Sequence, residues 1–68
     1  LYDGSPEDIY KEILDYFEDK DPAHSFINDV LGKGRLKKMK DLQSLTQDEM
    51  TKLWTSLQDA KAMTEEES

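Results

Sequence analysis

Five cationic side chains, Lys33, Arg35, Lys37, Lys38 and Lys40, fall within eight consecutive positions that hold no acid. Cations at this density suit polyanion recognition, in which ammonium and guanidinium groups pair with phosphates or carboxylates. At 100° per residue Lys33, Lys37 and Lys40 lie within ~60° of one another and opposite Met39 and Leu42, which would align them along one exposed helix face. No aromatic residue lies inside the run, so unpaired bases have no stacking platform there.

The remaining chemistry-bearing residues do not assemble into a site. His24 is the one histidine and Ser25 its neighbour, and adjacent side chains on a helix point ~100° apart, too far for a nucleophile and its base. Asp19-Lys20-Asp21 opens like a calcium loop, yet His24 stands where the loop requires glycine and Val30 where it requires a bidentate glutamate. The other acids fall on outward helix faces, where no cleft separates their pKa values for acid-base work. The sequence therefore predicts no catalytic, cofactor-binding or metal-ligating residue and no cofactor. The expected contact residues for a partner or polyanion are Lys33, Arg35, Lys37, Lys38 and Lys40.

Composition narrows the field further. With 68 residues, 9 Lys and Arg, 16 Asp and Glu, no cysteine and a net charge of −7, the chain is long enough for one domain, whose core is near the lower limit of self-sufficiency. Most catalytic architectures need more wall than such a chain can build. No apolar run approaches the ~20 residues of a membrane span. The absence of cysteine accords with a cytoplasmic setting.

Charge is strongly segregated. Residues 1–32 carry nine acids and two lysines, residues 33–40 five bases, and residues 41–68 seven acids and two lysines. The basic block therefore has three possible counterparts: the chain's own acids, an acidic protein partner, or nucleic acid.

Helix signals place these blocks on an all-α framework. Ser5-Pro6-Glu7-Asp8 joins a capping hydroxyl, a first-turn proline and acids at the positive end of the dipole, predicting a helix over 6–18. Ile9, Tyr10, Ile13, Leu14 and Phe17 share its inner face, with Tyr16 at the margin. Asp21-Pro22 repeats the signal for a second helix over 22–31, lined by Phe26, Ile27, Val30 and Leu31 and closed by Gly32 as a left-handed cap. Leu36, Met39, Leu42 and Leu45 recur every third residue, predicting a short helix over 35–41. Thr46 and Glu49 have capping-box spacing, and Leu45 and Met50 that of a hydrophobic staple, before a last helix over 47–61. Met50, Leu53, Trp54, Leu57 and Ala60 share its inner arc, so Trp54 is expected to anchor the core. Tyr2 either packs back across the helix ends or belongs to an interface. No stretch alternates with period two. The expected organisation is one four-helix domain over 1–63, three longer helices and one short around a single core, followed by a frayed acidic tail over 64–68.

Gly32-Lys33-Gly34, set between two short expected helices across Asn28–Leu42, resembles the helix-hairpin-helix family, whose glycine-turn amides grip a DNA phosphate. Lys33 departs from the aliphatic residue that anchors such turns, the preceding proline is missing, and there is no second hairpin.

These features predict a non-catalytic helical protein-protein interaction module, an acidic adaptor or the terminal domain of a larger protein, with a protein partner and no membrane. The alternatives are a nucleic-acid-binding module acting through Lys33–Lys40 and an acidic inhibitor whose carboxylates imitate a phosphate backbone.

Overall fold

Ser5 begins the first helix through a reciprocal pair of hydrogen bonds: its Oγ accepts from the Asp8 amide at 3.3 Å, and the Asp8 carboxylate accepts from the Ser5 amide at 3.1 Å. Two first-turn donors are thereby satisfied. A computed structural model describes residues 1–67, with side chains described as far as Met63, and places helix α1 at Pro6–Phe17. It ends at Glu18, which adopts the left-handed conformation (φ 62°) and returns its amide to the Leu14 carbonyl at 2.7 Å.

Helix α2 spans Lys20–Leu31 and starts two residues before its expected position. Asp19, rather than Asp21, is the cap, with its carboxylate accepting from the Asp21 amide at 3.3 Å. Pro22 remains compatible because first-turn amides have no helical acceptor to lose. Between α1 and α2, Ile9, Ile13, Ala23 and Ile27 are completely buried, the small Ala23 allowing a close approach. The Tyr10 hydroxyl meets His24 Nε2 at 2.7 Å across the same seam. Phe17 packs on Phe26 with ring centroids 5.3 Å apart, and Tyr16 stacks edge-on to Phe17 at 5.0 Å.

The third helix expected over 35–41 does not form. A turn closes from the Arg35 amide to the Gly32 carbonyl at 3.2 Å, with positive φ at Gly32 (122°) and Gly34 (79°). Gly32 thus caps α2 at positive φ but with an extended ψ of 146°, not the left-handed helical pair. Asn28 then holds Leu36 on both sides, accepting from its amide at 2.8 Å and donating to its carbonyl at 3.3 Å. The Asp41 carboxylate accepts from the Lys37 and Lys38 amides at 2.8 and 2.9 Å. With the Arg35 amide held in the turn and those of residues 36–38 committed to side chains, residues 35–38 stay non-helical, and a 3-10 helix follows at Met39–Ser44. The three-residue apolar period is the period of that helix type. Leu36, Leu42 and Leu45 are buried, while Met39 is exposed, contrary to the core position expected for it.

Helix α3 spans Gln47–Glu67. Its start is the expected capping box, with Thr46 Oγ1 accepting from the Glu49 amide at 3.2 Å and Glu49 accepting from the Thr46 amide at 3.0 Å. Leu45 and Met50 are both buried beside it, as the staple requires. Leu53 and Leu57 complete the core. The acidic tail expected over 64–68 has a helical backbone as far as Glu67; its side chains and Ser68 lie outside the described residues.

The result is an all-α domain of three longer helices and one short one, with no strand among the described residues. No described helix is long and apolar enough to cross a membrane.

Candidate functional site

The basic block forms the loop between α2 and the 3-10 helix, and the structure divides its members into two kinds. Lys33, Lys37, Lys38 and Lys40 are exposed, and none lies within ion-pair distance of a described carboxylate. Arg35 is committed inward. Its Nη2 and Nε donate to Glu49 Oε1 and Oε2, each at 2.8 Å, and its remaining donors reach the Ser44 hydroxyl at 3.1 Å and carbonyl at 3.0 Å. The pairing between Arg35 and Glu49 holds the Glu49 carboxyl down at about 2, with the Thr46 amide assisting, and raises the Arg35 pKa. The expected helical alignment of Lys33, Lys37 and Lys40 is absent, because residues 35–38 are not helical. A second helix does not follow the glycine turn directly, which removes the helix-hairpin-helix geometry.

A different surface brings chemistry-bearing groups together. The N-terminal segment crosses α3 and α1: the Tyr2 amide donates to Thr51 Oγ1 at 3.1 Å, its carbonyl accepts from Gln47 Nε2 at 3.3 Å, and its hydroxyl reaches Glu12 at 3.4 Å. Tyr2 therefore packs back across the helix ends, and desolvation there together with the carboxylates of Glu12 and Asp8 raises its pKa. Between this segment, α1 and α3 lies an open groove of about 490 Å³. Trp54 and Tyr2 form its aromatic walls, Asp3, Asp8, Glu12 and Asp15 its carboxylates, with Gly4 and the single cation Lys11 completing it.

Trp54 is 41% exposed, not the core anchor expected from its helical position. Met50, Leu53 and Leu57 define the buried arc of α3, and Trp54 sits at its edge, ~40° beyond Met50 on the helical wheel. It meets no other ring, and no hydrogen bond forms to its indole within the described residues.

The four groove carboxylates have no cation within ion-pair distance among the described residues. Asp15 also borders a second open groove of about 500 Å³ at the α1-α2 turn, beside Leu14, Glu18, Asp19 and Lys20. The two grooves share Asp15, so acids recur along α1 from Asp8 to Glu18, with Lys11 and Lys20 beside them. The composition of this surface was countable from sequence, but the placing of Tyr2 and Trp54 along one groove depends on two contacts spanning more than forty residues.

Among the described residues no group of three or more His, Cys, Asp or Glu side chains is placed to hold a metal ion. No family model, curated protein or solved structure matches the chain. The functional reading rests on the surface chemistry of the domain itself.

Proposed function

We propose that this domain is a non-catalytic protein-protein interaction module, an acidic adaptor or the terminal domain of a larger protein, and that it engages its partner through the Trp54 groove. The observation that carries this reading is the exposure of Trp54 on the wall of a groove it shares with Tyr2. An indole is a large apolar surface to leave in water, and tryptophan is among the residues that most often dominate binding at interfaces. The core is complete without it, since Ile9, Ile13, Ile27, Leu53 and Leu57 are already enclosed. The Lys33–Lys40 loop supports nucleic-acid binding less well, because its arginine is committed to Glu49 and Ser44.

The test compares immobilised wild-type domain with Trp54→Ala in a lysate of the source cell. Both proteins should be equally helical by circular dichroism. At least one protein should be retained by the wild type and lost from the variant. If every retained protein binds both domains alike, the groove is not an interaction surface and this reading fails.

A further inference from the structure

We infer that the groove takes an extended lysine- or arginine-rich segment of a basic protein partner, with one cationic side chain over Trp54 and others along the carboxylate track of α1. This inference rests on the interaction-module reading and adds the chemistry of the partner.

Charge complementarity selects the occupant. Asp8, Glu12 and Asp15 recur at intervals of four and three residues, so they share one face of α1 and, with Glu18 beyond them, span ~15 Å along the helix. An extended chain rises ~3.3 Å per residue and alternates its side chains, so four or five residues cover that length and present a cation about every 7 Å. The carboxylates are exposed and lack cationic partners among the described residues; Asp8 and Glu12 accept from the Ser5 amide and the Tyr2 hydroxyl through one oxygen each, which leaves the other oxygen for an incoming ammonium or guanidinium group. Beside them the partly exposed indole of Trp54 supplies the aromatic surface that cations, arginine above all, favour. Acidic residues and a tryptophan face together are the complement of a basic segment, and would repel an anionic one.

A second copy of this chain also carries a basic loop. Its net charge of −7 sets two copies in mutual repulsion, whereas a basic partner is drawn in from a distance. The favoured occupant is therefore a segment of another protein.

Gly4 supplies a test specific to this geometry. A Cβ built there would stand 2.6 Å from the Tyr2 ring, so Gly4→Ala forces that ring to move without altering any charge. Because the displaced atoms are the outer end of a side chain, the fold should survive.

The experiment titrates the intact domain with acetylated hexaarginine in dilute buffer. Trp54 is the sole tryptophan, so its emission reports the groove directly, and calorimetry gives the affinity of each variant. Saturable binding at one peptide per domain is expected. Glu12→Gln combined with Asp15→Asn should weaken it roughly tenfold. Asp29→Asn combined with Asp59→Asn removes the same charge from exposed positions outside both grooves and should change it by less than about twofold. Gly4→Ala should weaken binding at an unchanged thermal midpoint.

Equal losses from the two charge pairs would overturn the proposal in favour of diffuse attraction, as would an absent Trp54 response. If the domain instead self-associates, and Lys37→Glu with Lys38→Glu dissolves the oligomer, the occupant is a second copy and the proposal is likewise overturned. Failure of hexaarginine to bind while a Trp54-dependent partner is still captured would sink the partner chemistry and leave the module reading standing.

Discussion

The Arg35 guanidinium grips both oxygens of the Glu49 carboxylate, Nε to Oε2 and Nη2 to Oε1, each at 2.8 Å. The same carboxylate also closes the capping box of α3 by accepting from the Thr46 amide. One side chain therefore fastens the basic loop to the start of the last helix. Arg35→Lys keeps the charge but cannot reproduce the fork. It should cost about 1 kcal/mol at this partly exposed site, read from the urea midpoint, with faster amide exchange at residues 35–38.

Acid should weaken the contribution of this pair. Arg35 holds the Glu49 carboxyl down from 4.5 to about 2. A depressed folded-state pKa contributes stability that is fully present above the unfolded value and is lost as pH falls toward the folded one. The stability difference between wild type and Glu49→Gln should therefore be constant above pH 5 and shrink between about 4.5 and 2. Asp41, lowered by the amides of Lys38 and Lys37, changes in the same direction. Urea melts of both proteins across this range provide the measurement.

Trp54→Ala should leave the domain folded at a cost of about 1–2 kcal/mol, because the indole is only partly covered. Leu57→Ala, at a completely buried position on the same helix, should cost about 2–5 kcal/mol. Thermal melts of the two variants give the comparison. Equal losses would place Trp54 back in the core.

Glu18 is the one non-glycine residue with positive φ among the described residues. Glu18→Gly relieves the left-handed penalty at the end of α1 and should stabilise the domain by about 0.5–1 kcal/mol, after allowing for the freer unfolded chain. The denaturant midpoint should rise while helical content stays the same.

The starts of α1 and α3 were legible because their determinants are local: Ser5 with Asp8 and Thr46 with Glu49 each act across three residues. The all-α class followed from the same caps and from the apolar stripes. The helix expected over 35–41 failed because Asn28 and Asp41 take the amides of residues 36–38, and nothing in the periodicity of Leu36, Met39 and Leu42 announces that. Arg35 counted as one of five equivalent cations until Glu49, fourteen residues away, claimed it. Trp54 was misplaced because the width of a buried arc depends on how many neighbours cover a helix, and in so small a domain the edge of the arc stays in water.

A chain with nine basic and sixteen acidic residues forms a single ion pair among its described side chains, Arg35 with Glu49. Its surface electrostatics are therefore dominated by repulsion between acids, which dissolved ions shorten to a range of ~8 Å at physiological ionic strength. Raising sodium chloride should lift the thermal midpoint of the free domain while loosening its hold on a cationic peptide. Ionic strength would then move folding and binding in opposite directions, setting a narrow band of salt in which a well-folded domain still keeps its partner.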